Sequence, residues 1–352
     1  MRSTWGYALQ VPGQDLAPWK FDRRDLRPDD VAIAVTHCGL CHSDIHAVDA
    51  FHAGDAPLVP GHEFVGTVSE IGHEVTRFAV GDAVAVGNIV DSCGECGSCR
   101  AGQENYCARF PTTTYGGTDR HDGTPTRGAY SGEYVAGERF VYHLPESLDP
   151  AGTAPLMCAG ATVWEPLRRW EVGPGSTVGV VGLGGLGHLA VKFAKALGAR
   201  VAVFTTSPGK EDAALALGAD EVIVSTDATA MAAQNDRFSF ILDTASADHD
   251  PSPYLRALRM DATLCVLGIP ATWSVDPMSL LVGRKSLASA GSAGTPGTQD
   301  MLDFCARHGI TADVETVPLS QVNEAMQRLR RNDVRYRFVL DVDESERGLV
   351  DL

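Results

Sequence analysis

Residues 177–197 read TVGVVGLGGLGHLAVKFAKAL, and this run decides the fold of the middle of the chain. Thr177 to Val181 is an apolar, β-branched stretch with strand character, and His188 to Leu197 reads as a helix. Between them Gly182-Leu183-Gly184-Gly185-Leu186-Gly187 spells G-x-G-x-x-G. Such a fingerprint is weak alone, but between a strand and a helix it marks a dinucleotide-binding turn. Gly182 makes the tight turn, Gly184 lets the backbone approach a pyrophosphate at the helix N-terminus, and Gly187 allows close packing of helix on strand. The glycines, with His188, Lys192 and Lys195, exclude the same run as a membrane span.

Downstream, strand and helix signals alternate. Arg200 to Phe204, Glu221 to Val224, Phe238 to Leu242 and Thr263 to Leu267 read as strands, and Lys210 to Leu217 as a helix stopped by Gly218. This rhythm predicts a doubly wound parallel sheet. The second strand ends Val203-Phe204-Thr205-Thr206-Ser207, with Lys210 following and no carboxylate before Glu211. A site for NAD usually places Asp or Glu here to grip the ribose hydroxyls. Three hydroxyls and a cation suit a 2′-phosphate instead, which predicts NADP(H). The rival reading is that Lys210 only begins a surface helix, the commoner place for a lysine.

Upstream the texture is β-rich. Val31 to Thr36, Phe64 to Ile71 and Ala83 to Val86 read as strands, separated by turn signals at Pro60-Gly61, Gly81-Asp82 and Gly116-Gly117. Ala151 to Arg169 reads as helical. After the sheet, Gly291 to Gly297 is the linker candidate, Met301 to Arg307 and Val322 to Arg330 read as helices, and Phe338 to Val342 as a closing strand.

A chain of 352 residues is long enough for more than one domain. Its formal net charge is −16 and it has no lysine or arginine stripe, so nucleic acid is excluded as a partner. Arg328, Arg330 and Arg331 beside Asp333 read as a solvated helix end. Met1 to Gln10 lacks the apolar centre of a signal peptide. A soluble, cytoplasmic protein with no membrane partner is expected, and in that compartment cysteines are metal ligands, reactive thiols or core residues before they are disulfides.

Four of the nine cysteines, Cys93, Cys96, Cys99 and Cys107, follow C-x2-C-x2-C-x7-C. Such gaps turn neighbouring thiolates toward one tetrahedral ion, and four thiolates leave no open position, so a structural zinc is expected. An iron–sulfur cluster, with similar ligands, and a redox loop are the rivals. A second set is dispersed: Cys41-His42-Ser43-Asp44-Ile45-His46, then Gly61-His62-Glu63, then Cys158. Two sulfurs and one imidazole would leave the fourth position open, as catalytic zinc requires. Spacing does not join these segments. Singly, Cys158 reads as buried core and Gly61-His62-Glu63 as a turn with an exposed histidine.

What joins them is a resemblance. Cys38-Gly39-Leu40-Cys41-His42-Ser43-Asp44, Val59-Pro60-Gly61-His62-Glu63, the four-cysteine run and Pro155-Leu156-Met157-Cys158-Ala159-Gly160-Ala161-Thr162 occur in order. They are followed by the glycine loop and by Asn332-Asp333-Val334-Arg335-Tyr336-Arg337-Phe338-Val339. With these residues the chain resembles, end to end, the zinc-containing medium-chain dehydrogenase/reductase family, and most of all its cinnamyl-alcohol-dehydrogenase-like branch. The resemblance implies an α/β architecture: a β-rich GroES-like catalytic domain, 1–154 with 294–352, carrying both zinc sites, and a Rossmann cofactor domain, 155–293. It implies two zinc ions and NADP(H), hydride exchange between NADP(H) and primary alcohols or aldehydes, and a homodimer.

Position by position, Cys41, His62 and Cys158 match the catalytic zinc ligands. Glu63 matches a carboxylate that assists ligand exchange, and Asp44 one that orients the histidine ligand. Ser43 matches the hydroxyl that bonds the substrate oxygen, and His46 the solvent end of a proton relay. His42 matches a contact to the cofactor phosphates and Thr162 a neighbour of the nicotinamide, while Ser289 and Ser292 lie in a segment that lines the cofactor site. Cys38, Cys265 and Cys305 have no assigned role, although the strand-end position of Cys38 suggests core packing.

The chain departs from the branch at Val48-Asp49-Ala50-Phe51-His52-Ala53-Gly54-Asp55, in the region of the pocket wall, and at Arg127-Gly128-Ala129. Trp164 is expected either to narrow the cleft or to lie buried. These departures argue against inheriting a phenylpropenyl substrate and for broad use of aromatic and medium aliphatic aldehydes. The rivals are a zinc-impaired double-bond reductase of the same fold, a non-catalytic zinc-binding redox sensor, and a polyol or formaldehyde dehydrogenase.

Overall fold

The computed structural model describes residues 1–342 except 56, 270, 271 and 273. Residues 343–352, included in the first domain above, lie outside the described residues. The chain divides into two compact units, Met1–Cys158 with the chain from Ala293 onward, and Ala159–Ser292. The first division falls four residues after the expected 154/155 boundary, which leaves Cys158 with the β-rich unit.

In the second unit, the strands Thr177–Val181, Arg200–Thr205, Glu221–Val224, Phe238–Asp243, Leu258–Val266 and Ser286–Ser289 form one parallel sheet. Across the sheet the third strand in sequence comes first, then the second, first, fourth, fifth and sixth. This is the Rossmann order, with its crossover between the first and fourth strands. Val178, Val180, Val201, Val203, Ile241 and Leu264 are buried along these strands, as expected of a sheet covered on both faces. The glycine loop leaves the first strand and opens the helix Gly187–Ala196. A Cβ on Gly187 would lie 2.2 Å from the Gly182 carbonyl oxygen, so the turn closes only around a residue with no side chain.

In the first unit, Asp30–Leu40 is the central strand of a seven-stranded sheet. It pairs antiparallel with Phe64–Ile71, Arg337–Asp341 and Glu133–Gly137. Val314–Pro318 lies parallel beside Arg337–Asp341 at one end, and Ala83–Val86 and Val141–His143 complete the other. The sequence reading ends the central strand at Thr36, because His37-Cys38-Gly39 breaks the β-branched run. Cross-strand pairing carries it on to Leu40, which delivers Cys41 at the strand's end.

Other elements also differ from the sequence reading. Ala151 to Arg169 is not one helix. A turn over Pro150–Thr153 and a 3-10 turn over Ala154–Met157 precede the helix Ala159–Arg169. Cys158 sits in the break, at φ −123° and ψ −69°. The linker candidate is only partly a linker, since Thr295-Pro296-Gly297 forms the first turn of the helix Thr295–His308. There Pro296 occupies a position whose N–H would go unbonded in any case. Lys210 closes the 3-10 turn Pro208–Lys210, ahead of the helix Glu211–Ala216. Among the described residues no helix is long and apolar enough to cross a membrane.

Replacing Gly187 by alanine is expected to cost about 1–3 kcal/mol through overpacking and to weaken dinucleotide binding. Urea denaturation and a fluorescence titration with NADPH measure the two effects. Wild-type values in both would contradict the close approach at Gly182.

Candidate active site

The four-cysteine lobe is built from short turns. Cys96 precedes the helical turn Gly97–Arg100, and its sulfur accepts N–H bonds from Cys99 and Ala108, each at 3.5 Å. The Cys93 N–H points at the Cys107 sulfur at 3.5 Å. Donors aimed at sulfur favour the thiolate, and those from Ala108 and Cys99 pull the Cys96 thiol down to about 6. The sulfurs of Cys93 and Cys99 lie 3.8 Å apart. A zinc tetrahedron with sulfur at ~2.3 Å has an edge of about 3.8 Å, so the spacing fits the ion, and all four donor atoms lie within 4.8 Å of one another.

Glu104, buried within the lobe, ties it to the rest of the unit. Its carboxylate accepts bonds from the Thr295 N–H at 2.8 Å, the Thr295 hydroxyl at 3.1 Å and Arg139. It thereby caps the helix Thr295–His308, whose own capping residue, Gly294, has no side chain to offer. The sequence carries no signal for this link across 191 residues.

The dispersed set also converges. The donor atoms of Cys41, His62 and Cys158 lie within 4.8 Å of one another. Nε2 of His62 is 3.2 Å from the Cys158 sulfur, a little under the ~3.5 Å edge that zinc–nitrogen and zinc–sulfur bonds would set. Cys41 ends the central strand and begins the helix His42–Asp49, His62 lies just before Phe64–Ile71, and Cys158 occupies the helix break. With three donors rather than four, the set fits an ion that keeps one position for another ligand. The neighbouring Cys158, with Arg337 and His62, holds the Cys41 thiol well below the ordinary range, and Cys41 in turn pushes that of Cys158 up.

Asp44 organises this site. Fully buried, it accepts the Cys41 N–H at 2.9 Å, the Gly61 N–H at 3.1 Å, Nδ1 of His62 at 3.1 Å and the Tyr130 hydroxyl at 3.2 Å. Nδ1–H toward Asp44 leaves Nε2 of His62 as the donor that faces the sulfurs. Burial disfavours a charged His62, but Asp44 and Cys41 outweigh it and raise the ring's proton affinity well above normal. A metal at Nε2 would compete with that proton. Gly61 has φ +98°, and a Cβ there would lie 2.6 Å from the Tyr130 ring and 2.9 Å from the Cys38 sulfur. Cys38 is thus a buried packing residue beneath the site, and Cys265 and Cys305 are likewise buried.

Glu63 is fully buried and bonded through Oε1 to Arg337, while its Oε2 has no hydrogen-bond partner among the described residues. Burial raises its carboxyl to about 7 against the opposing pull of Arg337. Sequence reading quotes Arg337 within a matching stretch but assigns it no role, since the pair is separated by 274 positions. Ser43 and His46 are exposed on the helix that Cys41 begins, and the Ser43 oxygen lies 3.7 Å from the Cys41 sulfur. His42 is exposed in the first turn.

In the second unit, a Cβ on Gly184 would meet nothing within 4 Å, which leaves the backbone open to a ligand where the fingerprint needs it. Thr205 is buried and bonds within the turn, accepting the Ser207 N–H at 3.1 Å. Thr206 and Ser207 are exposed. Nζ of Lys210 donates to the Leu183 carbonyl at 3.1 Å, so the lysine lies against the glycine loop rather than on an open helix face. The Thr162 hydroxyl oxygen accepts the Ser292 N–H at 3.3 Å, and Ser289 donates to the Val266 carbonyl at 2.9 Å. Of the two readings of Trp164, burial holds: it is 2% exposed and packs edge-on against Phe193, with centroids 5.6 Å apart.

Residues 27–146 match the alcohol dehydrogenase GroES-like domain, and residues 185–307 match the zinc-binding dehydrogenase domain. The chain therefore belongs to the zinc-binding alcohol dehydrogenase family. Within it, the chain is similar to an aldehyde reductase of Escherichia coli, 48% identical over 93% of this chain and 95% of that protein. It is 45% identical to a cinnamyl alcohol dehydrogenase of Sorghum bicolor of solved structure, with TM-score 0.92 over 97% of this chain and 98% of the other. A cinnamyl alcohol dehydrogenase of Helicobacter pylori, solved with NADP(H), is 32% identical, with TM-score 0.89 over 97% and 98%.

Cys41→Ala is expected to lower the zinc content from two ions per chain to one, and Cys96→Ala with Cys99→Ala to remove the other ion and destabilise the lobe. Plasma mass spectrometry of the purified proteins reads both outcomes. Two ions retained in the Cys41 variant would contradict the dispersed site.

Proposed function

We propose that the chain is a zinc-dependent alcohol dehydrogenase and aldehyde reductase that uses NADP(H) and acts on aromatic and medium aliphatic aldehydes and the corresponding primary alcohols. The observation that carries this reading is the contrast between the two donor sets, one with four sulfurs and one with three donors among the described residues, which leaves a tetrahedral ion one position for substrate. Zinc held by Cys41, His62 and Cys158 supplies a Lewis acid for a substrate oxygen, and the dinucleotide supplies or receives the hydride.

The chain's own residues do the rest. Asp44 fixes the ring of His62. Ser43, beside Cys41, offers a hydroxyl that hydrogen-bonds the substrate oxygen and holds the transferred proton at Oγ. His46, three residues further along the same helix and exposed, exchanges a proton with solvent. Such proton transfers typically contribute ~10²–10⁴-fold. Glu63, paired with Arg337, keeps one carboxylate oxygen uncommitted near the ligands. His42 and Thr162 complete the cofactor contacts in this reading.

Gly182 to Gly187 cradle the pyrophosphate, and Thr206, Ser207 and Lys210 gather round the 2′-phosphate, with Thr205 shaping the turn. Lys210 has only to release the Leu183 carbonyl to reach such a group. Names of the relatives that include NADP, among them an NADP-dependent alcohol dehydrogenase of Mycolicibacterium smegmatis that is 44% identical, support this choice. Nine free thiols fit a reducing, cytoplasmic setting.

A homodimer belongs to the same reading. Ser286–Ser289 ends the six-stranded sheet with its outer side unpaired among the described residues. Leu281, Val282 and Leu287 are exposed nearby, at 71%, 63% and 37%. An open strand edge beside apolar surface favours pairing with a second copy. Sedimentation equilibrium should give twice the chain mass, and Leu281→Glu with Leu287→Lys should give the chain mass. A monomeric wild type would remove the dimer from this account.

The reading as a whole is tested by steady-state kinetics on a panel of aldehydes with NADPH and NADH. Turnover with benzaldehyde and medium aliphatic aldehydes is expected, with NADPH preferred. Lys210→Ala should raise KM for NADPH by about tenfold or more, as one charge-assisted contact implies, and leave that for NADH nearly unchanged. A wild-type preference for NADH would overturn the cofactor assignment, and no turnover across the panel would overturn the activity.

A further inference from the structure

Two phenols, carried on separate loops, converge on the carboxylate that holds His62. Tyr130 is fully buried and donates to Oδ2 of Asp44 at 3.2 Å. Tyr115 stands beside the same carboxylate, close enough for Asp44 to act on its hydroxyl, and its ring lies 5.7 Å from the His62 ring, tilted by 57°.

The position of Tyr130 is fixed by backbone. The Tyr130 N–H donates to the Pro60 carbonyl at 3.0 Å, and the Ala129 N–H to the Gly61 carbonyl at 2.9 Å. Arg23 clamps the same loop through the Arg127 carbonyl at 2.8 Å, and through the Gly128 carbonyl and the Ser131 hydroxyl, both at 2.7 Å. The Tyr130 ring also occupies the space that a side chain at Gly61 would need. The loop therefore has little freedom to move away from the histidine segment.

A carboxylate offers about four lone-pair sites. The N–H groups of Cys41 and Gly61, Nδ1 of His62 and the Tyr130 hydroxyl already use that number, and the Tyr115 hydroxyl dipole acts on the same charge from beside it. Each phenol draws electron density that Asp44 would otherwise direct at Nδ1–H of His62. That bond in turn sets the orientation of the ring and the donor strength of Nε2. Removing the Tyr130 hydroxyl leaves a buried acceptor short of a donor, removing that of Tyr115 takes away a dipole beside it, and Asp44 then redistributes its bonds among the groups that remain.

We propose that Tyr115 and Tyr130 are positioning residues that act through Asp44 to set the orientation and donor strength of His62, and with them the ligand field of the metal at Cys41, His62 and Cys158. The proposal rests on the reading of those three residues as a metal site, and the experiment separates the two.

The chain is loaded with Co²⁺ as wild type, Cys41→Ala, Tyr115→Phe and Tyr130→Phe. The visible spectrum of Cys41→Ala is subtracted from each of the others to isolate the dispersed site from the four-cysteine lobe. A wild-type difference spectrum with thiolate-bound d–d bands is expected. The two phenylalanine variants should keep the cobalt content and the fold, as judged by circular dichroism, yet show displaced bands and lose cobalt to a chelator about tenfold faster or more. Should one variant fail to fold, the other interrogates the same carboxylate. Bands and release rates superimposable on wild type in a folded variant would overturn the proposal while leaving the metal site intact. No difference between wild type and Cys41→Ala would overturn both.

Discussion

The buried carboxylate of Asp44 is the interaction on which the site depends. A cation held by two sulfurs and an imidazole needs donors from three segments, and Asp44 joins two of them by hydrogen bonds. It bonds the backbone at Cys41, the backbone at Gly61 and the ring of His62. Its place is set by the fold. Strand pairing carries the central strand to Leu40, and the chain turns into a helix at Cys41, so that Asp44 falls in the first helical turn. There its side chain bonds back to the Cys41 N–H in the manner of a capping box. A local helix-starting device and the orientation of a metal ligand are thus the same contact.

The third donor arrives by a different device. A helix uninterrupted from Pro150 to Arg169 would carry Cys158 on a regular face. The 3-10 turn over Ala154–Met157 breaks that regularity and leaves Cys158 in a non-helical conformation. The four-cysteine lobe needs no such arrangement, because its donors lie within one short segment and its own N–H groups point at the sulfurs. Glu104 then fastens the lobe to a helix whose own N-cap, Gly294, has no side chain to cap it. One site is assembled locally and closed. The other is assembled from afar and open, which is the physical distinction between holding a loop and doing chemistry.

What the sequence discloses follows the same division. The strand, glycine loop and helix at 177–197 are readable because the three signals are contiguous and agree. The run from Cys93 to Cys107 is readable because its spacing alone constrains the geometry. In the sequence, Cys41, His62 and Cys158 are joined only by resemblance. Arg337 and Tyr130 escape assignment because their partners, Glu63 and Asp44, lie far away in sequence. The break at Cys158 is signalled by Gly152 and Pro155, breakers that a helix from Ala151 to Arg169 passes over, and the reach of the central strand is hidden by His37-Cys38-Gly39, where tertiary pairing overrides the local pattern. Trp164 shows the limit of a single side chain as a signal, since burial and cleft lining differ only by what packs against it.

The most direct measurement of this two-site account is zinc K-edge X-ray absorption on the protein as purified. One ion with four sulfurs and one with two sulfurs, an imidazole and a light fourth ligand average to about three sulfurs near 2.3 Å and about one nitrogen or oxygen near 2.0–2.1 Å per zinc. That mixed shell is the predicted result. A shell of sulfur alone would show that Cys41, His62 and Cys158 hold no zinc, and a shell dominated by nitrogen and oxygen would contradict the four-thiolate lobe.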